Sequence, residues 1–407
     1  MTEDVYYKKT LSFRYARQTL RFRVSQDLFS SFDVDVGTRR LLRTLLHVDA
    51  AACRRVLDLG CGYGPIGLTL KKLDGQRVVH MVDRDALAVD YSRQNAELNG
   101  VPDVEIYGSL GYDDLTAADF DLVISNLPAK AGPPVLSCLL REARFCLRPG
   151  GRMAIVVVDS LEPAVAELLA DPGIQILLRR SWPGHVVFHC RFAGQPDDTA
   201  RPKESAFQRG VYHRADTLIS FRGLSFPMRT VYNLPELDSL DFRTELLLKG
   251  LQEIREVPLR RALVFNPGQG HLPVALWKLF RPEKTLLADR DLLSLRCSQK
   301  NLILNGCPEE SIALSHQVGI LAPGQGPFDL VTAVLREEEG TKATASTMEQ
   351  AVAQAVPGGR IVVVAGSTLI TRLVGTLEHD ERVKIRRRER GKGQSLLVLE
   401  VRGCGRC

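Results

Sequence analysis

Two short segments of this chain hold residue types that could do chemistry. The first is DLGCGYG, Asp58 to Gly64, in which Gly60, Gly62 and Gly64 directly follow an apolar run. Glycine is needed where backbone must turn with positive φ or approach a ligand with no Cβ in the way. Gly62 to Gly67 also spells G-x-G-x-x-G, so a dinucleotide competes with S-adenosylmethionine as the ligand. Asp58, two residues before the first glycine, is a poor neighbour for a pyrophosphate, and Pro65 stiffens the turn where a dinucleotide site would open its helix. Both features favour S-adenosylmethionine. Asp83 ends the next apolar run and can accept hydrogen bonds from both ribose hydroxyls; Asp85 is the better N-cap for the segment that follows. The second segment is SNLPAK, Ser125 to Lys130, directly after the apolar FDLVI.

The elements that must position these residues are written twice. VLDLGCGYGPIGL (Val56–Leu68) aligns without gaps with VFNPGQGHLPVAL (Val264–Leu276) at a displacement of 208, placing Gly60 on Gly268 and Gly62 on Gly270. FDLVISNLPAKAG from Phe120 matches FDLVTAVLREEEG from Phe328 at the same displacement, and RPGGRMAIVVVDS from Arg148 matches VPGGRIVVVAGS from Val356. MVDRDALAVDYSRQNAELNG matches LADRDLLSLRCSQKNLILNG at 206, and DVGTRRLL (Asp35–Leu42) matches DFRTELLL (Asp241–Leu248). Five ordered matches mean a duplication. Within each half, short apolar runs alternate with segments of helical period, the pattern of buried parallel strands and crossover helices. The fold class expected is α/β: two tandem Rossmann-like domains with doubly wound, mainly parallel sheets. Residues 1–193 form the first, 194–210 a polar linker, and 211–407 the second.

In this order and spacing, LFSSFDVDVGT, VLDLGCGYGPIG, MVDRDALAVDYSRQN and SNLPAKAG resemble the class I methyltransferases of the "methyltransferase small" type. The group most similar is the ribosomal RNA guanine-N2 methyltransferases of the small-subunit methyltransferase C kind, which also carry tandem methyltransferase-like halves. The resemblance covers Val5 to about Phe192 well and Val211 onward in degenerate form. It implies S-adenosylmethionine as cofactor, held by Gly37, Thr38, Asp58, Gly60, Gly62, Gly64, Asp83, Ser109 and Asn126, with Asp35 ordering its loop. It implies ribosomal RNA, or a ribosomal subunit, as partner. In that family the fourth strand ends in Asn-Pro-Pro-aromatic. An exocyclic base amine is a poor nucleophile because its lone pair is delocalised. No strong base is needed if acceptors hold its N–H groups and strengthen as the nitrogen becomes positive. The Asn126 side-chain oxygen and the Leu127 carbonyl are the acceptors expected here, and Pro128 aims that carbonyl. Two departures stand out. Leu127 replaces the first proline and removes a restraint on Asn126. Ala129 replaces the aromatic residue and forfeits a stack of about 1–3 kcal/mol per base. Phe29, Phe32 or Tyr63 are the substitutes available, and Lys130 is placed to contact phosphate.

By the alignment at 208, the second half has Asn266 for Asp58, Leu272 for Gly64 and Ala275 for Gly67. It also has Arg243 for Gly37, Val334 for Asn126 and Arg336 for Pro128, while keeping Asp289 for Asp83. The copy is expected to keep the fold and drop the chemistry. In the bacterial tandem enzymes of the family the intact half comes second, whereas here it comes first. The run KIRRRERGKG, Lys384 to Gly393, lies in the spent half, and an exposed turn carrying Arg386, Arg387 and Arg388 would suit a phosphate backbone.

Bulk properties agree with this reading. The 407 residues exceed one ordinary core. The net charge of +6 is mildly basic, so clustering matters more than the total. No apolar run approaches a membrane span and the start lacks a secretory core, so a cytoplasmic protein is expected. Nine scattered cysteines form no disulfide framework and no metal site; the terminal CGRC is a single CxxC with no second pair. Two other readings stay open: the same chemistry on another acceptor, such as another base amine, a protein glutamine amide or a small molecule, and a non-enzymatic RNA-binding scaffold with both halves spent.

Overall fold

The computed structural model describes residues 4–46, 53–194, 201–254, 258–321 and 323–403; Cys404 and Cys407 of the terminal CxxC lie outside them. The chain divides into two compact units, Tyr7–His213 and Arg214–Cys407, the latter joined by Met1–Tyr6. Residues 201–210 of the expected linker fold onto the first unit: the N–H groups of Ala206 and Phe207 donate to the Asp113 carboxylate at 2.6 and 3.1 Å, and Arg209 pairs with Glu142. A polar composition marked these residues as a linker, but backbone donors can be captured by a carboxylate that no local pattern reveals.

The first unit opens with a hairpin, β1 (Tyr7–Tyr15) and β2 (Gln18–Ser25), followed by α1 (Val36–Leu45). Strand and helix then alternate through β3 (Arg55–Leu59), α2 (Gly67–Leu73), β4 (Val78–Asp83), α3 (Ala86–Leu98), β5 (Glu105–Gly108), β6 (Phe120–Asn126), α4 (Pro133–Arg141), β7 (Leu147–Val158) and α5 (Glu162–Leu169). Two strands close the unit, β8 (Ile174–Trp182) and β9 (His185–Phe192). The sheet order is β5-β4-β3-β6-β7-β9-β8, parallel except that β9 runs antiparallel to both neighbours. Apolar runs become central strands because both faces are covered; every residue of β6 except Asn126 is buried. The order reverses between β3 and β6, and the ends of these strands open a crevice.

The second unit repeats the plan. It runs through β10 (His213–Phe221), β11 (Leu224–Val231), α6 (Phe242–Glu253), β12 (Arg261–Phe265), α7 (His271–Phe280), β13 (Lys284–Asp289), α8 (Leu292–Leu304), β14 (Ile312–His316) and β15 (Phe328–Val334). It ends with α9 (Thr341–Gln354), β16 (Ala355–Gly366), α10 (Ser367–Leu377), β17 (Val383–Gly391) and β18 (Gln394–Val401). Its sheet order is β14-β13-β12-β15-β16-β18-β17. Both units are thus seven-stranded, mainly parallel α/β sheets, as expected.

Register corrects one alignment. Gly60 N–H bonds to Val82 O, and Asn266 N–H bonds to Ala288 O. Asn95 Nδ2 donates to Tyr63 O, and Asn301 Nδ2 donates to Gln269 O. These matched bonds set the displacement through β3, the loop and α3 at 206, not 208. The counterpart of Asp58 is therefore Val264, and that of Gly60 is Asn266, which holds the same left-handed backbone (φ +51° against +75°). Gly62 and Gly64 survive as Gly268 and Gly270. Leu272 and Ala275 replace neither glycine; the lost one is Gly67, now Pro273. The gapless match at 208 was attractive because glycines at every second position align equally well two residues out of step. From β6 onward the displacement is 208: Asp121 Oδ2 accepts from the Arg54 and Arg55 N–H groups as Asp329 Oδ2 does from those of Arg260 and Arg261.

The corrected pairing explains a double loss. Asp58 is wholly buried, and its Oδ2 accepts the Gly67 N–H at 2.7 Å. Proline at the second position would have no N–H to give and valine at the first no acceptor, so the two changes in the copy remove both ends of one bond. Burial pushes the Asp58 carboxyl up from 3.8 to about 7, against the pull of the Gly67 N–H and with the help of Asp83. Between those two values the folded chain binds more protons than the unfolded one. This group's contribution to stability is therefore full below the lower value, falls as pH rises toward the upper, and is level above it. Asp58→Asn keeps an acceptor for Gly67 and removes the titration. Its melting temperature relative to the parent should climb between about pH 4 and 7 and then level off; a pH-independent difference would show that Asp58 does not titrate in that window.

Candidate functional site

The loop after β3 is held open by backbone bonds that leave Gly60 and Gly62 facing outward, while Gly64 packs inward. Gly60 and Cys61 N–H both donate to Val82 O at 2.8 and 2.9 Å, tying the loop to β4. Gly62 N–H donates to Asp83 Oδ2 at 2.9 Å, while Asp83 Oδ1 accepts from Asp85 N–H at 3.0 Å. The half-buried Asp83 carboxylate thus joins the glycine loop to the turn that opens α3. Asp85 caps α3 through the Leu87 N–H at 2.9 Å, as expected. A side chain at Gly64 would need φ of +94° and would place its Cβ 2.7 Å from Leu68.

Asn126 ends β6 at the other side of the reversal. Its Nδ2 donates to Asp35 Oδ2 at 2.9 Å and to Thr38 Oγ1 at 3.1 Å. Asp35 is the N-cap of α1, its Oδ2 accepting the Thr38 N–H at 3.0 Å. The restraint expected to vanish with the first proline is replaced: Leu127 is buried, and its N–H bonds to Val156 O at 3.0 Å, a bond proline could not make. Pro128, Ala129 and Lys130 follow at the surface.

Loop and amide share one cleft, whose lining includes Phe29, Thr38, Gly60, Gly62, Tyr63 and Asn126. Phe29 is 71% exposed although it lines this cleft. Phe32 is 75% exposed, with Lys8 Nζ 3.4 Å and Lys9 Nζ 5.2 Å from its ring centroid. Tyr63 is buried and packs edge-on against Phe22 at 5.8 Å, so its ring offers no stacking face. The sequence named these three aromatics together; only burial separates them.

Three expected cofactor residues sit differently from their expected places. Asp58 lies beneath the loop, bonded to Gly67. Gly37 faces protein, since a Cβ there would come within 2.7 Å of His185 and 2.9 Å of Asp35 Oδ2. The Ser109 hydroxyl closes its own turn, donating to Gly111 O at 2.8 Å and accepting from Asp114 N–H at 3.2 Å. Asp114, which sequence reasoning missed, holds the Leu110 N–H at 3.0 Å. An acid five residues past Ser109 carries no motif; its role follows from the turn.

In the second unit the corresponding groups are spent on one another. Arg336, in the place of Pro128, donates to Asp289 Oδ1 at 2.6 Å, and Ser294 Oγ donates to Asp289 Oδ2 at 2.6 Å. The carboxylate that corresponds to Asp83 is thereby buried and consumed. Glu236, in the place of Ser30, accepts from Thr244 Oγ1 at 2.5 Å, and Arg243 donates to Asp241 at 3.0 Å. Tyr6 lines a pocket together with Asn266, Asp289 and Arg336, where burial lifts its hydroxyl to about 12.

The basic run is a strand rather than a turn. Lys384 to Arg390 lie in β17, the edge strand, and only the residues after Gly391 turn toward β18. Alternation along the strand exposes Lys384, Arg386, Arg388 and Arg390. Arg386 is bonded to Glu400 at 2.6 and 2.9 Å, Arg387 pairs with Glu253 and Glu389, and Arg388 donates to Thr371 at 2.5 Å. The expectation of an exposed turn fails because the run itself, Lys384 to Gly391, pairs antiparallel with β18.

Comparison with known proteins agrees with this geometry. The model of the methyltransferase small domain matches residues 19–170. The uncharacterized protein YbxB of Bacillus subtilis is 34% identical over 151 residues, which span 37% of this chain and 74% of that protein. Ribosomal RNA small subunit methyltransferase C of Hahella chejuensis is 34% identical over 142 residues, spanning 34% of this chain and 40% of that protein. Among solved structures, the Thermus thermophilus 16S rRNA N2 G1207 methyltransferase, determined with AdoMet and guanosine, has a TM-score of 0.67. It is 19% identical, and the match covers 98% of this chain and 99% of that one, a likeness of fold. With the matched segment carrying both the glycine loop and the Asn126 strand, the chain belongs to the methyltransferase small domain family.

Proposed function

We propose that the first unit is an S-adenosylmethionine-dependent N-methyltransferase whose acceptor is an exocyclic amine, guanine N2 of ribosomal RNA. The observation that carries this reading is that the outward-facing Gly60 and Gly62 and a pinned strand-end amide open onto one cleft. The residues fit the cofactor: loop backbone without Cβ atoms at Gly60 and Gly62 can approach it closely, and the Asp83 carboxylate at the end of β4 is the chemical type that binds a ribose diol. When bound, S-adenosylmethionine supplies a methyl group on a positively charged sulfur.

The chain's own part is binding and orientation. The Asn126 oxygen and the Leu127 carbonyl would accept the two N–H groups of the amine, directing its lone pair at the methyl. These bonds strengthen as the nitrogen gains positive charge, which lowers the barrier without a general base. Phe29 offers the stacking face that Ala129 cannot, worth about 1–3 kcal/mol per base. Lys8, Lys9 and Lys130, with the exposed cations of β17, are the groups offered to phosphates. The second unit, with Asp289 locked to Arg336, binds no second cofactor.

Titration with S-adenosylhomocysteine should give one site per chain, and Asn126→Ala should keep that site while lowering methyl transfer to naked ribosomal RNA by about 100-fold or more. Transfer only to protein extract or to small amines would move the acceptor class, and no binding at all would leave a scaffold. Phe29→Ala should raise KM for RNA about 10-fold with kcat little changed; an unaltered KM would remove it as the platform. Replacing Lys384, Arg386, Arg388 and Arg390 by Gln should flatten the salt dependence of RNA binding by about 0.7–0.9 in logarithmic slope for each phosphate left unneutralised, and an unchanged slope would exclude β17 from the interface.

A further inference from the structure

A carboxamide is nearly symmetric in shape, but its two ends are opposite in hydrogen-bonding sense: the oxygen accepts and the nitrogen donates. An Asn126 that turned its NH2 toward an incoming amine would oppose it, donor against donor. The strand alone does not choose between these orientations. The choice is made by two acceptors on α1, the Asp35 carboxylate and the Thr38 hydroxyl, which take both hydrogens of Nδ2 at 2.9 and 3.1 Å. With both hydrogens committed, the side-chain oxygen is the only end left to offer. We propose that Asp35 and Thr38 are positioning residues that lock the Asn126 amide with its oxygen toward the acceptor amine, an inference that rests on the methyl-transfer reading above.

Three observations support this assignment. Asp35 Oδ2 serves two donors, the Thr38 N–H that starts α1 and the Asn126 amide, so the lock is built onto the helix cap. A negative charge on the nitrogen side of the amide also polarises it, raising the accepting power of its oxygen. Gly37 permits the arrangement, because a Cβ there would stand 2.9 Å from that same Asp35 oxygen.

The second unit supplies the internal comparison. There the amide is Val334, and both counterpart acceptors have been given other work. Asp241 still caps α6 through the Thr244 N–H at 2.8 Å but takes Arg243 on its other oxygen, and the Thr244 hydroxyl donates to Glu236. The cap survives without the amide; the pairing with an amide occurs only where an amide exists to orient.

A cap and a lock are separable by substitution. Asp35→Ser keeps a good N-cap but is too short to reach Asn126. Thr38→Val keeps the shape and removes the hydroxyl, with Thr38→Ser as its conservative partner. Each of the first two should lower kcat about 10- to 100-fold, with KM for RNA within about threefold of the parent. Asp35→Asn and Thr38→Ser, which retain an acceptor oxygen, should return most of the turnover. The lock has its own signature in the full-length protein labelled with ¹⁵N. The two Asn126 side-chain amide protons should be resolved and slow to exchange in the parent, and should lose protection in Asp35→Ser. Parental turnover in Asp35→Ser, an equal loss in Asp35→Asn, or unprotected Asn126 protons in the parent would each overturn the proposal. If the parent transfers no methyl to any amine while its Asn126 protons are protected, the methyl-transfer reading falls and the lock stands.

Discussion

The cleft depends on one buried hydrogen bond. A parallel sheet ends abruptly where β3 gives way to the helix that must cross back over it, and the connecting loop has to be held in a conformation that faces a ligand. The Asp58 carboxylate does this from below by taking the Gly67 N–H, and the Val82 carbonyl does it from the side by taking those of Gly60 and Cys61. Burying a carboxylate with one bonded oxygen is costly, as its raised pKa records. Such a cost is tolerated where it sets the geometry of a working surface.

The second unit shows what happens when that demand is lifted. Val264 and Pro273 remove both ends of the bond, and apolar packing against the sheet replaces a buried charge. The glycine loop itself is kept, with Asn266, Gly268 and Gly270 retaining positive φ. The fold needs that turn whether or not a ligand is present. What disappears are the groups that would have met a ligand: the ribose carboxylate is turned inward onto Arg336 and Ser294, and the strand-end amide becomes valine. Degeneration here is a redistribution of hydrogen bonds inside a retained scaffold.

Local patterns proved reliable where backbone physics is local. Apolar runs of strand length and the N-cap acid Asp85 could be read directly, because a strand buried on both faces and a helix with unsatisfied N–H groups each demand particular residue types. The alignment of the glycine loops failed for the same reason: glycines spaced by two satisfy a turn equally well in either of two registers, and only the bonds to Ala288 and from Asn301 chose between them. Only the placement of Arg386, Arg387 and Arg388 on a turn was misread, because a run of charge says nothing about its partners: Glu400 lies on β18, Glu253 ends α6 and Glu389 is on the same strand.

The sequence by itself determined the duplicated α/β plan, the half that keeps a glycine loop together with a strand-end amide, and the residue types at the cleft. The tertiary structure alone decided orientation. It pinned the Asn126 amide by placing Asp35 and Thr38, some ninety residues earlier, against its nitrogen; it left Phe29 exposed while burying Tyr63; and it put Asp58 under the loop rather than in it. Residue identity states what a group can donate or accept. Which neighbour it meets depends on packing between distant segments, and no local spacing encodes that.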